Sequence, residues 1–169
     1  MNFKLNLEND KISLYQANKT DFKKLYSIAN DPKKWEQHPE HDRWRKNKFS
    51  LFFNNRLLNR FGLLIIFDKI ENKIAGSTRF YALNELKNEI RIGFTFIKRE
   101  YWGTRMNFYV KELMISYAFK FIDNIYFDIG NNNFRSRKAI EKIGAYLFID
   151  NSKGNVVYKL TKNNFNLTL

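Results

Sequence analysis

The chain lacks cysteine altogether, and its 169 residues include only 2 prolines and 2 histidines. Without thiols there is no disulfide, no thiolate nucleophile and no cysteine-held zinc, a composition suited to a reducing compartment. Long apolar runs are missing too. None approaches the ~18 residues that cross a bilayer, and the opening MNFKLNLENDK has no apolar segment of the signal-peptide kind. These absences lead us to expect a cytoplasmic protein with no membrane partner. Acidic residues are scarce beside basic ones, 17 against 30, for a formal net charge of +13. Such a charge attracts phosphate on a cofactor, a nucleic acid or an anionic surface. Lysines scattered over solvated faces of a chain rich in Lys, Asn, Ile and Phe give the same total.

What is present is apolar bulk: 44% hydrophobic residues, among them 17 Phe, 9 Tyr and 3 Trp. That is enough to offset the ordering entropy of one domain, which we expect to span residues 1–169 with no repeat, low-complexity tract or linker. KISLYQAN (11–18) reads as a strand, and Thr20 then caps a helix carrying Phe22, Leu25, Tyr26 and Ala29, which Pro32 ends. A second helix is expected over Arg43 to Asn59. LLIIFD (63–68), IAGSTRFYAL (74–83) and IRIGFTFI (90–97) read as three hairpin-connected strands, the last with Ile90, Ile92, Phe94 and Phe96 on one face. From Asn107 to Ile122 the apolar positions follow the spacing of a core-facing helix, with Val110, Leu113, Met114, Tyr117, Ala118 and Phe121 on the stripe. A strand over Ile125 to Ile129, a helix over Asn133 to Ile143 closed by Gly144, and a final strand pair (145–149 and 156–160) complete the reading. The class is α/β in the broad sense, an α+β mixed sheet covered by helices.

One segment suggests chemistry. IKREYWGTRMN (97–107) leaves a strand and enters the long helix through a loop containing Gly103. The unpaired amides at such a positive helix end suit a pyrophosphate. With its neighbours, EIRIGFTFIKREYWGTRMNFYVKELMISYAF and FDIGNNNFRSRKAIEKIGA, this stretch resembles the GNAT superfamily of N-acetyltransferases. The likeness is greatest to the branch that includes the ribosomal-protein N-terminal (alanine/serine) acetyltransferases, through GSTRF (76–80), WGTRMN (102–107) and the span from Asn133 to Ala145.

The resemblance implies a central, mostly antiparallel mixed sheet flanked by about four helices, with the strands at 90–97 and 125–129 splayed around the arm of acetyl-CoA. Thr95, Phe96 and Ile97 would pair with that arm and form an oxyanion hole. Trp102, Gly103, Thr104, Arg105, Met106 and Asn107 would wrap the pyrophosphate, joined by Asn133, Arg135 and Ser136. Trp35, His38, Arg79 and Arg91 would border the amine acceptor, a protein N-terminus or a small-molecule amine, with a ribosomal protein as one possible partner. The chain departs from the superfamily pattern by holding Glu100, Gly103 and Arg105 at the loop's signature positions. It also has Arg91 in the usual glutamate slot and Ile140 in the usual tyrosine slot. Ser136, three residues after Asn133, becomes the candidate acid for the leaving thiolate, or else a cap of its helix; Glu89 becomes the candidate base, or else a surface carboxylate.

With no Cys and no activated serine visible, we expect direct attack in a ternary complex. The histidines of WEQHPEH (35–41) are interrupted by a proline and have no third partner, so no metal is expected. Two rival readings stay open. One is a basic RNA- or ribosome-binding module suggested by Phe134 beside Arg135 and Arg137; the other is a CoA-binding GNAT fold without transfer activity. Either a monomer or a homodimer fits.

Overall fold

The computed structural model describes residues 5–58, 60–151 and 154–166. Its strands are β1 (Asn6–Glu8), β2 (Ile12–Gln16), β3 (Leu64–Asp68), β4 (Lys73–Asn84), β5 (Glu89–Ile97), β6 (Asn124–Gly130), β7 (Tyr146–Ile149) and β8 (Asn155–Thr161). They form one sheet in the order β1-β2-β3-β4-β5-β6-β8-β7, every neighbouring pair antiparallel except β5 with β6. The helices are α1 (Phe22–Ala29), α2 (Lys46–Leu57), α3 (Met106–Ala118) and α4 (Phe134–Glu141). Sequence reading missed β1, which is only 3 residues long.

Both faces of the sheet are covered, which explains why β3 is apolar from Leu64 to Phe67 rather than alternating. Leu64 and Ile66 join the core under α3, while Leu63 and Ile65 join a second core under α1 and α2 with Leu25, Ile28, Phe49, Phe52 and Phe53. The first helix is capped differently from expectation. Asn18, not Thr20, is the N-cap of a 3-10 turn (Lys19–Asp21) leading into α1. Its side chain accepts from the Thr20 amide at 2.8 Å while Asp21 accepts from the Asn18 amide at 2.9 Å, so two orphan donors are satisfied reciprocally. α2 begins at Lys46 rather than Arg43 and ends at Leu57; Asn59, the expected end, lies outside the described residues.

The main correction concerns β5. Ser77 pairs with Phe96 and Arg79 with Gly93, so Thr78 faces two residues, Phe94 and Thr95, and β5 carries a bulge there. Phe94 takes a left-handed backbone with φ of 50s magnitude, 52°. The extra residue reverses the inside-outside sense of the strand. Ile90 and Ile92 face the α3 core, whereas Phe96 lies in the α1/α2 core and Phe94 packs against it. The four residues therefore do not share a face.

Beside the bulge β4 and β5 approach closely. A Cβ added to Gly76 would lie 2.0 Å from the Phe96 carbonyl oxygen, so no larger residue fits without parting the strands. Gly76→Ala should cost ~2–4 kcal/mol and lower the melting temperature by about 5–10 °C, as read by thermal unfolding under circular dichroism. An unchanged melting temperature would show that the strands part freely here.

Candidate active site

β5 and β6 run parallel and pair only through Glu89–Asn124, Ile90–Ile125 and Arg91–Tyr126. Beyond Arg91 the bulge carries β5 away, and a split opens between Thr95–Ile97 on one side and Phe127–Gly130 on the other. At the mouth of this split the chain turns through a 3-10 turn (Arg99–Tyr101) into α3. Gly103 sits there at φ 78° with no atom within 4 Å of an added Cβ, so the turn has open space around it. The N-cap residue Arg105 makes no side-chain cap and no acidic residue stands in the first turn of α3, which leaves the positive end of the helix available to an anion apart from the Met106 amide.

Buried contacts hold the loop. The Tyr101 hydroxyl donates to Asp68 at 2.7 Å, and the Ile70 and Glu71 amides donate to the same carboxylate at 2.9 and 3.1 Å. Burial alone would raise the Asp68 pKa, but these hydrogen bonds prevail and hold it below the ordinary carboxylate range. Outside, Lys73 pairs with Glu100 at 3.0 Å. Thr104 accepts from the Met106 amide at 3.2 Å and donates to the Tyr101 carbonyl at 2.7 Å, which orders the step into the helix.

Across the mouth stands the start of α4. Asn133 is its N-cap and accepts from the Ser136 amide at 3.2 Å, so Ser136 does not cap the helix. Arg135 lies over Trp102, its Cζ 3.8 Å from the ring centroid, with its Nη2 near the Lys34 carbonyl at 3.4 Å and its amide facing Gln37 Oε1 at 3.4 Å. Trp102, Gly103, Asn133, Arg135 and Ser136 are thereby brought to one rim.

The expected acceptor residues separate. Trp35 is buried, donates from Nε1 to the Ala29 carbonyl at 2.8 Å and packs on Phe96, so it is a core residue. His38 accepts from the Glu40 amide at 2.9 Å and lies 3.4 Å from Arg43. Burial, with Arg43 adding to it, pushes its pKa down to about 4. Together with Gln37, Pro39, Gly130, Asn131 and Asn132 it lines a cavity of about 350 Å³ beside the end of β6. Arg79 is fully buried; its Nε donates to the Phe80 carbonyl at 3.2 Å, and its Nη1 has no partner among the described residues. Arg91 forms an ion pair with Asp128, which also accepts from the Tyr81 hydroxyl at 2.7 Å. Glu89 stands at the closed end of the split, about 20 Å along β5 from Thr95 at the rise of an extended strand. The arginines of the suggested RNA platform are engaged internally: Arg137 donates to Tyr158 and to the Asn131 carbonyl, each at 3.0 Å.

With this geometry in view, the comparison with known proteins is direct: residues 11–146 match the family described as Acetyltransferase (GNAT) domain. The chain belongs to the GNAT family of acetyltransferases. By sequence it matches no curated protein. Solved structures share the fold at low identity. A GCN5-related N-acetyltransferase from Brucella melitensis has a TM-score of 0.82 at 14% identity, over 95% of this chain and 80% of that one. Spermidine N-acetyltransferase from Vibrio cholerae, solved with CoA and spermine, has 0.71 at 13%, over 92% and 98%. A candidate ribosomal-protein-serine acetyltransferase from Vibrio cholerae has 0.74 at 13%, over 95% and 99%. This chain is therefore an N-acetyltransferase of the acyl-CoA-dependent kind.

Lys111 and the Asp68–Tyr101 anchor escaped sequence reading. Lys111 left a signal, since it stands three residues before Met114 and seven before Ala118, on the stripe of α3 that faces the core. Asp68 left none, because its partner is distant in sequence.

The low His38 pKa sets a pH dependence. The unfolded histidine, near 6.5, binds a proton that the folded one refuses until about pH 4, so stability falls as pH drops through this window. Melting temperatures of this acetyltransferase should decline from about pH 6.5 to 4, and less steeply in His38→Asn; parallel curves would show that His38 is not the group responsible.

Proposed function

We propose that this acetyltransferase moves the acetyl group of acetyl-CoA onto the N-terminal amine of a peptide or protein, by direct attack in a ternary complex. The observation that carries the reading is the split between β5 and β6, which opens beside a helix end free of acidic residues and an unobstructed Gly103. In this reading the amides of Gly103, Arg105 and Asn107 hold the pyrophosphate, the Thr104 and Met106 amides being engaged within the loop, and the Arg105 side chain adds a cation. The arm runs down the split, and main-chain groups of Thr95, Phe96 and Ile97, turned by the bulge, meet the thioester carbonyl. As the amine adds, its nitrogen forms a bond to the carbonyl carbon and negative charge collects on the oxygen, where oriented amides stabilise it. Collapse breaks the carbon–sulfur bond. The thiolate takes a proton from the Ser136 hydroxyl, the new amide loses the nitrogen's extra proton to water in the adjoining cavity, and that water returns a proton to the serine oxygen, so the hydroxyl is restored. Glu89 is too far down the strand to take part.

The acceptor enters through the cavity at the end of β6. Its lining of Gln37, Asn131 and Asn132 with His38 offers amide donors and acceptors of the kind that peptide backbone requires. Glu36 is the one carboxylate among the lining residues, whereas a polyamine needs several. This favours a peptide over a polycation, and a ribosomal protein is one such acceptor.

Mass spectrometry of peptides with free N-termini, set beside spermidine and incubated with acetyl-CoA, tests this. Acetylated peptide and unmodified spermidine are expected; acetylated spermidine alone would reverse the substrate class, and no product with any amine would favour a CoA-binding protein without transfer. Ser136→Ala should lower kcat about 10- to 100-fold with little change in KM for acetyl-CoA. Unchanged kcat would remove Ser136 from the reaction.

A further inference from the structure

Beneath the split lies a lysine that the reaction above does not use. Lys111, on α3, is 6% exposed. Its Nζ lies 3.1 Å from Thr95 Oγ1 on β5 and 5.7 Å from the ring centroid of Phe127 on β6. The two strands are unpaired at these residues, so the amine spans the floor of the gap between them. Thr95 is itself fixed by the Thr78 hydroxyl at 2.8 Å, and Thr78 contacts Met114 Sδ at 3.3 Å. Among the described residues no carboxylate neutralises the lysine. Asp128 of β6 is paired with Arg91 and Tyr81, and Glu141 of α4 accepts from Tyr158. Arg79 of β4 is engaged with the Phe80 carbonyl and lies over Phe94, and Arg137 of α4 is held by Tyr158. A primary amine has three donors when charged, and one acceptor accounts for a single one of them. Burying such a group without a counter-charge is costly, so its retention needs a reason.

We propose that Lys111 is a further binding residue for acetyl-CoA, donating from the floor of the split to a carbonyl of the arm that lies between β5 and β6. The inference rests on the transfer reading above, which places the arm there. Thr95 has two roles in consequence: its main chain faces the thioester, and its hydroxyl aims the lysine. Through α3 the same residue joins the two grips on the donor, since the helix whose first turn meets the pyrophosphate also carries Lys111 one turn further on.

Burial predisposes the amine to lose its proton, lowering its pKa to about 8. A carbonyl accepting from it favours the charged form and raises that pKa. Binding near pH 8.5 must then draw a proton from solution, by linkage. Titration calorimetry of the wild-type protein with acetyl-CoA at about pH 8.5, in two buffers of different ionisation heat, measures this uptake without any turnover. We expect net uptake in the wild type, none in Lys111→Met, and an affinity about ten-fold or more weaker in that variant. Lys111→Met should melt no lower than wild type in the absence of ligand, which separates a binding loss from a folding loss. Thr95→Val should weaken binding too, and Thr95→Ser should restore it. Acetyl-CoA binding with no proton uptake, and with equal affinity in wild type and Lys111→Met, would overturn the role of Lys111 and leave the transfer reading intact. Failure of acetyl-CoA to bind the wild type would overturn the transfer reading and this inference with it.

Discussion

The site depends on holding Phe94 in a backbone conformation that phenylalanine avoids. A bulky residue at positive φ costs on the order of 1–3 kcal/mol, so its surroundings must supply at least that much. They do so through its ring, which stacks edge-on with Tyr81 at 4.9 Å, packs near Phe52 at 6.2 Å and is covered by Arg56 at 4.2 Å and Arg79 at 5.3 Å. Each guanidinium over a ring contributes about 0.5–2 kcal/mol when desolvated. Were the bulge to relax, the strand beyond it would turn over. Thr95 would leave Lys111 and Phe96 would leave Trp35, and the register that parts β5 from β6 would be lost.

This interaction also marks the limit of what was readable in the sequence. Hydrophobic period located α3, both hairpins and the strand pair at the end of the chain, because helix and strand spacing are local properties. The loop around Gly103 was readable for the same reason, since a strand, a glycine and a helix follow one another directly. IRIGFTFI keeps perfect alternation through the bulge, so nothing in its period reveals that one residue is extra; the clamp on Phe94 comes from β4 and α2. Trp35 misled because an aromatic near a cleft and an aromatic in a core look alike until its neighbours are known. Glu89 was placed on the correct strand but at the wrong end, a matter of where β5 and β6 diverge.

The strong positive charge was equally ambiguous in sequence, and the fold divides it. Arg43, Arg79, Lys34 and Lys111 are all buried. Arg43 pairs with Glu40 at 2.5 Å and lies over Trp35 and Phe52, and Lys34 pairs with Asp31 at 3.6 Å. Cations used in this way stabilise the core under α1 and α2 and are unavailable to a nucleic acid, whose affinity rests on exposed phosphate contacts. The long stems of these side chains cover apolar surface as methylene groups do, while their heads meet aromatic faces. The high aromatic content and the high basic content are thus parts of one arrangement.

In the proposed transfer reading the donor and acceptor sides differ in how they are held, and β6 is the wall they share. On the donor side, buried Asp68 and Tyr101 fix the loop, and a phosphate grip made of main chain needs only that the loop keep its shape. On the proposed acceptor side, Pro39 packs against Gly130 at the end of β6, and Gln37, Asn131 and Asn132 line the cavity from loops on either side. Main-chain recognition leaves a spacing that can be read along the chain, because glycine and helix start must adjoin. Side-chain recognition from two loops almost a hundred residues apart leaves no such spacing. The donor is therefore legible as a motif, whereas the acceptor is legible only as the chemistry of a cavity.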